Sequence, residues 1–273
     1  MRSAILNHEL VLSRVLVNAS WKFTAMETRF FTALLARLRS GNLAGEEVWV
    51  PLDEVLAPSR RRPSEGDYAV MARMLQQLTQ PRLLLDSSSP FSSPLSLLAY
   101  AHYEKQRALL RVRLSPELLP YFARPSADDT RAPLEQLLKL RTPAAYHFYW
   151  LVCECAAHGT RLIELRQLAW QLGVLADKIN PSGFCQRILD SARKQLEVTD
   201  LPCKINVLKR GKSLHLVHIL FPALSRGYSG ASDLDAELGQ GEVDTLLNGL
   251  LMLFRFVLGA ACAVAAAATT AAG

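Results

Sequence analysis

RLIELRQLAWQLGV (Arg161–Val174), NPSGFCQRILDSARKQLE (Asn180–Glu197) and CKINVLKRGKSLHLVHILF (Cys203–Phe221) together decide the fold. Arg161–Glu164 reads as a short strand. Leu165, Leu168, Ala169 and Leu172 fall at i, i+3, i+4 and i+7, the spacing of one helical face, and Gly173 closes that helix. Asn180-Pro181 opens the next helix. Its expected buried line is Phe184, Ile188, Ala192 and Leu196, with Cys185 and Leu189 beside it. Arg187, Ser191 and Lys194 form another face, flanked by Gln186, Asp190 and Arg193. Two β runs, Lys204–Leu208 and Ser213–Phe221, then bracket the tight basic turn Lys209-Arg210-Gly211-Lys212.

Upstream, TPAAYHFYWLVCECAAHG (Thr142–Gly159) has a capping threonine, a proline in its first turn and apolar or aromatic residues on nearly every side, so it belongs at the centre of a core. Helix, strand, short helix, basic-faced helix and hairpin is the order of a winged helix. The same order occurs once before. Leu10–Ala19 is an apolar extended arm or strand. Thr24 and Glu27 form a capping box at the head of a helix carrying Met26, Phe30, Leu34 and Leu38. A strand (Glu47–Val50), a short helical turn (Leu52–Leu56) and the loop PSRRRPSEGD (Pro58–Asp67) follow. The helix from Tyr68 buries Tyr68, Met71, Ala72, Leu75 and Leu78, and the runs RLLLD, SLLAYAHYE and LLRVRL read as strands.

The expected class is therefore α+β, with tandem winged-helix domains and a C-terminal apolar tail. The first domain is placed at 1–124, a polar, proline-bearing linker at 125–136, the second domain at 137–224, and a further segment at 225–273. In that last segment, Leu246 to Ala268 is long enough to span a bilayer but carries Arg255. Membrane anchoring, a helix docked on the protein or a partner, and a read-through end all stay open. The charged residues Arg2, Glu9 and Arg14 break the first apolar stretch, so a signal peptide is not expected and a cytoplasmic location is.

A winged helix commonly grips duplex DNA, and the charge of +6 suits a polyanion. Arg187 has the fork to donate two bonds to a guanine edge, and Gln186 the amide to pair with adenine. Arg193 and Lys194 are suited to phosphates, and Ser182 sits at the helix entrance where backbone amides approach them. Asp190 lies on the same side. Lys209, Arg210 and Lys212 cluster at the hairpin tip. In the first domain the analogous candidates are Arg60, Arg61, Arg62 and Arg73.

Signs of catalysis are missing from the pattern. The five cysteines have no zinc-ligand spacing. His215 and His218 fall on opposite faces of a strand, unlike the paired ligands of a nicking enzyme. No glycine-rich phosphate loop with lysine is present. A non-enzymatic protein without a cofactor is expected.

VLSRVLVNASWKFTAMETRFFTALLARL, PLSLLAYAHYEKQRALLRVRLSPELLPYF and LKLRTPAAYHFYWLVCECAAHGTRLIELRQLAWQLGV, with the helix and hairpin after it, resemble the theta-type plasmid replication initiators (Rep proteins). That resemblance covers roughly Leu10 to Phe221. It implies two winged-helix domains related by a pseudo-twofold, the first dimerising and making auxiliary DNA contacts, the second reading most of the bases. It also implies double-stranded origin DNA with repeated sites (iterons) as partner, recruitment of host replication proteins (a helicase and the host initiator), autorepression, and a homodimer in equilibrium with monomer. A winged-helix transcription regulator is the alternative reading, and a rolling-circle nicking enzyme a more distant one.

Overall fold

The computed structural model describes residues 9–38, 47–56, 65–85, 93–123, 126, 128–156, 160–174, 180–210 and 214–220. The apolar tail, the arginines Arg60, Arg61 and Arg62, and Gly211 and Lys212 of the hairpin tip lie outside them. Two units are distinguished along the chain, 1–224 and 225–273, and the described residues all belong to the first.

The first half runs β1 (Glu9–Leu12), α1 (Arg14–Asn18), α2 (Ala25–Leu35), β2 (Val48–Pro51), α3 (Leu52–Leu56), α4 (Glu65–Leu78), β3 (Leu98–Glu104) and β4 (Leu109–Leu114). A 3-10 turn (Pro116–Leu118) and α5 (Pro120–Ala123) follow. After β5 (Thr130–Pro133) and α6 (Leu134–Leu137), the second half runs α7 (Pro143–Ala156), β6 (Thr160–Glu164) and α8 (Leu165–Gln171). It ends with α9 (Pro181–Phe184), a π turn (Cys185–Leu189), α10 (Asp190–Leu196), β7 (Lys204–Arg210) and β8 (Leu214–Leu220). The two three-stranded antiparallel sheets have the orders β2-β4-β3 and β6-β8-β7. In each, the strand after the first long helix pairs with the last strand of the hairpin, so one topology occurs twice.

The local signals act as the residues predict. Thr24 accepts from the Glu27 amide and the Glu27 carboxylate accepts from the Thr24 amide, closing the capping box at α2. Glu27 is fully buried, and Arg82 donates to its second oxygen at 2.6 Å, so its charge is compensated. On α4 the buried residues are Met71, Met74, Leu75 and Leu78, and Ala72 faces outward. Those four keep i, i+3, i+4, i+7 spacing, and the larger thioether fills the core where alanine would leave a gap.

Three further expectations change. The arm at Leu10–Ala19 is not one extended segment: Ser13 caps a short helix by accepting from the Leu16 amide. The expected linker at 125–136 holds β5 and most of α6. β5 pairs antiparallel with β1 in the register Glu9↔Pro133 to Leu12↔Thr130. Thr130 and Ala132 face inward beside Leu10 and Leu12, while Arg131 reaches Glu9 at 3.2 Å. The alternation of buried and exposed residues, hidden in a polar-looking stretch, makes this an element rather than a spacer. RLLLD makes only isolated bridges, Ser20↔Leu84 and Leu83↔Leu95, instead of a full strand.

The segment from Arg14 to Trp21 is held against the second half. Asn18 donates to both oxygens of Glu154 at 3.0 and 2.9 Å and accepts from Arg161 and Gln171, each at 3.0 Å. Arg14 and Arg161 also reach the Glu154 carboxylate, at 2.8 and 3.0 Å. Ser20 donates to the Trp170 carbonyl at 2.5 Å. Trp21 stacks on His147 at 4.4 Å and meets Phe31 edge-on at 5.0 Å. Gly173, with φ +75°, ends α8 directly under this segment, where a Cβ would lie 2.6 Å from the Trp21 carbonyl oxygen.

Gly173→Ala therefore adds left-handed backbone strain of about 1–2 kcal/mol to a steric clash. It should destabilise the fold by at least about 2 kcal/mol in urea denaturation; an unchanged midpoint would contradict this packing.

His147 is buried on α7, its Nε2 2.8 Å from the Val17 carbonyl, and burial pushes its pKa down to about 4. The unfolded chain, with histidine near 6.5, binds the proton more readily. Stability is then fully present above pH ~6.5 and falls as the pH drops toward 4, by at most about 3 kcal/mol. Urea midpoints between pH 7 and 5 should drop in the native chain and drop less in His147→Phe.

Candidate nucleic-acid interface

The second basic-faced helix runs without a break from Pro181 to Leu196 through α9, the π turn and α10. Asn180 caps it, its side-chain oxygen accepting from the amides of Ser182 at 3.2 Å and Gly183 at 3.5 Å. Those amides are the ones an entrance phosphate was expected to use, so in this structure the asparagine satisfies them. Ser182 itself is exposed.

The π turn alters which residues face inward. The buried line is Phe184, Leu189, Ala192 and Leu196, while Ile188 is half-buried. Phe184 to Leu189 is a five-residue step, the spacing of a π turn, after which regular α spacing resumes. The expected Phe184–Ile188 step assumed an unbroken α-helix. The exposed side is then Gln186, Arg187, Asp190 and Lys194. Among the described residues, neither Arg187 nor Lys194 forms an ion pair.

Arg193 is placed differently. It is half-buried and donates to Glu197 at 2.8 Å, one turn further along. Gln195 fixes the helix to the head of α7: its oxygen accepts from the amides of Arg141 (2.8 Å) and Thr142 (3.2 Å), and its nitrogen donates to the Thr142 hydroxyl (3.0 Å). Just past the helix, the Tyr149 hydroxyl donates to Asp200 at 2.6 Å. Burial, then the neighbouring Cys153 and Asp200, push the Tyr149 pKa upward, which keeps it a donor. The helix is thus seated firmly on its apolar side, while Gln186, Arg187, Asp190 and Lys194 are exposed among the described residues.

Lys209 and Arg210, expected in the turn, belong to β7, in register with His215 and Leu214. The hairpin therefore extends as a ladder to its basic end. His218 of β8 lies 2.6 Å from the Thr160 hydroxyl through Nε2, a surface contact within its sheet. Among the described residues no group of three His, Cys, Asp or Glu side chains could hold a metal ion. Burial raises Cys153 to about 12 and Cys203 to about 11, so both are thiols at neutral pH.

In the first half, Arg73 is exposed on α4, where Val70, Gln76 and Gln77 share the outward side. The described part of this face carries one cation against two on the second helix. Sequence reading missed a cluster on the neighbouring sheet: Trp49, Tyr100, Arg111 and Arg113, with Arg111 5.8 Å from the Trp49 ring and 5.3 Å from the Tyr100 ring. The signal was present in the alternation of Arg111 and Arg113 about Val112, which puts both arginines on one face.

Asn180→Ala should cost about 1 kcal/mol of stability, the usual worth of such a cap. Arg187→Ala, which loses no ion pair or hydrogen bond among the described residues, should stay within about 0.5 kcal/mol of the parent. Thermal or urea melts of the two variants check both values, and a large loss for Arg187→Ala would make it a structural residue.

A protein-family model described as "Initiator Replication protein, WH1" matches residues 9–153, more than half of the chain. A comparison with curated proteins finds no match. Among solved structures, the Pi initiator protein in complex with iteron DNA is similar with a TM-score of 0.61 at 13% identity, over 79% of this chain and 97% of that one. A structure of domains 2 and 3 of RctB aligns with a TM-score of 0.38 at 13% identity, over 73% of this chain and 82% of that one. The likeness to the Pi protein is one of fold: both chains share the winged-helix arrangement.

Proposed function

This chain belongs to the initiator replication protein family, and on that premise we propose that it starts plasmid replication by binding repeated origin sequences in double-stranded DNA. The observation that carries the reading is the exposed face of the helix 181–196. Gln186, Arg187, Asp190 and Lys194 stand outward from a helix whose other side is locked to α7, and the hairpin beside it ends in Lys209 and Arg210. A major groove accepts such a helix, and side chains held on a rigid element can reach base edges. The solved Pi initiator complex with iteron DNA supports direct repeats as the target.

In this reading the second winged helix is the main reader. Arg187 and Gln186 contact bases, while Lys194 and the hairpin cations grip phosphates. Arg193 contributes less directly, since Glu197 already holds it. The first winged helix dimerises and adds auxiliary contacts through Arg73 and the loop arginines Arg60, Arg61 and Arg62. The shared sheet order of the two halves supports a pseudo-twofold relation between them. The domain limits are 1–124 and 137–224, with 125–136 joining them through β5 and α6 rather than as a plain tether. Host replication proteins, a helicase and an initiator among them, are the partners recruited. A homodimer, in equilibrium with monomer, represses its own gene. The protein works in the cytoplasm without a cofactor or bond-breaking chemistry of its own. No helix of the described residues is long and apolar enough to cross a membrane.

Direct repeats beside the gene, bound in a gel-shift or anisotropy titration, test the reading; binding to a lone palindrome only would favour a transcription regulator. Arg187→Ala should weaken specific binding by about 1–3 kcal/mol and relax preference at one base pair. Lys194→Ala should weaken all duplexes alike and lower the salt slope by about one unit. If neither variant loses affinity, the helix 181–196 is not the reader. Relaxation of supercoiled origin DNA by the protein with magnesium would instead mark a nicking enzyme.

A further inference from the structure

The helix 181–196 contains one residue more than its packing needs. Its buried line is Phe184, Leu189, Ala192 and Leu196, with steps of five, three and four. With one residue removed from the first step, the line becomes i, i+4, i+7, i+11, the stripe of a regular α-helix. The extra residue is held in the π turn, where the Asp190 amide donates to the Cys185 carbonyl five residues back. The winged-helix topology does not impose it. The corresponding helix of the first half, α4, is α-helical from Glu65 to Leu78, and the sheet order in that half is the same. Neither core packing nor topology calls for the π turn, and what it adds lies on the other side of the helix.

Burial along the turn shows the addition. Phe184 and Leu189 are buried, Cys185 and Ile188 are half-buried, and Gln186 and Arg187 between them are both exposed. Each of the next two turns exposes a single residue, Asp190 and then Lys194. Helix geometry gives the reason. Successive side chains of an α-helix are about 100° apart, so the third residue after Phe184 would stand at about 300°, turned back toward the packed side. Five residues over the same path bring the spacing to roughly 80°, and that third residue, Arg187, to about 240°. Gln186 moves from about 200° to about 160°, so the two side chains flank the outward direction together.

We propose that the π turn is the specificity element of this helix: it presents Gln186 and Arg187 side by side, so that one turn reads two neighbouring base pairs, adenine through Gln186 and guanine through Arg187. The inference rests on the reading of helix 181–196 as the part that enters the major groove. Neighbouring Cα atoms lie about 3.8 Å apart, close to the rise of about 3.4 Å between base pairs. The glutamine amide and the guanidinium can each make two bonds to those bases. Neither side chain is spent within the fold, since among the described residues neither forms an ion pair or a hydrogen bond. The ends of the helix are anchored on both sides of the turn. Asn180 accepts from the Ser182 and Gly183 amides at the entrance, and Gln195 accepts from the Arg141 and Thr142 amides at the far end. A regular turn between those anchors would keep Gln186 outward and bring Arg187 to the half-buried flank that Ile188 now occupies.

The test is deletion of Ile188, which leaves Phe184, Leu189, Ala192 and Leu196 at regular α spacing. Affinities of the full chain are measured by anisotropy for a direct-repeat duplex from beside the gene and for a scrambled duplex of the same length. The deletion variant should fold, bind the scrambled duplex with native affinity and salt slope, and lose roughly tenfold on the repeat, as Arg187→Ala does. The loss should map to the same base pair as in Arg187→Ala. Ile188→Ala, which keeps the residue count, should keep the native preference. Deletion of Ile188 in an Arg187→Ala background should cost nothing further, because the turn acts through Arg187. Native preference in the deletion variant overturns the proposal. So does an equal loss in Ile188→Ala, or additive losses from the deletion and Arg187→Ala. A deletion variant that fails to fold, by circular dichroism, overturns it too, since the core would then need the extra residue. Native preference in Arg187→Ala would sink the duplex-reader assignment and this inference with it, whereas native preference in the deletion variant alone sinks only the inference.

Discussion

The buried carboxylate of Glu154 sets the constraint on which the rest of the structure depends. Its side chain is 10% exposed and lies where the start of the chain meets α7. Left alone, such a charge would cost several kcal/mol, so it persists only with every oxygen satisfied. Arg14, Asn18 and Arg161 supply the donors. Asn18 is the hub, because its two polar atoms face opposite ways in the network: the amide serves Glu154, and the carbonyl serves Arg161 and Gln171. One side chain from the first half thereby engages α7, β6 and α8 of the second. Directional bonds of this kind fix orientation in a way that apolar packing by itself does not.

Around that hub, shape does the remaining positioning. Trp21 lies flat on His147, Ser20 bonds to the end of α8, and Gly173 lets the backbone of Trp21 come close. The pairing of β1 with β5 closes the same region from the other side. The two halves are consequently not beads on a flexible tether. The basic-faced helix of one half is therefore held in a set position relative to the corresponding helix of the other.

Repetition of topology has left the two halves unlike in chemistry. The second places exposed cations, Arg187 and Lys194, on a helix anchored by Gln195 and by the buried line from Phe184 to Leu196. The first places fewer cations on the described part of α4, and gathers rings and arginines on the outside of its sheet instead. The backbone order dictates neither distribution. Each depends on which residues occupy the outward half of a period, the positions where the fold leaves choice open.

Local rules made much of the architecture legible. The capping box at Thr24, the helical stripe from Leu165 to Leu172, the stop at Gly173, and the order of elements in both halves all follow from spacings within a few residues. Arg187 and Lys194 were legible as an outward face for the same reason. The π turn was not: a helix with 184, 188, 192 and 196 apolar reads as regular, and only packing against α7 decided that Leu189 turns inward. β5 was hidden because its partner β1 lies more than a hundred residues away, so the polar composition of 125–136 suggested a spacer. The Asn18 network was out of reach for the same cause, with Glu154, Arg161 and Gln171 all more than a hundred residues along the chain. By itself, then, the sequence determined which elements form and which faces are polar, since these depend on local periodicity and capping. Only the tertiary structure decided which distant residues meet, because hydrogen bonds and ring contacts depend on distances in space that the order of residues does not state.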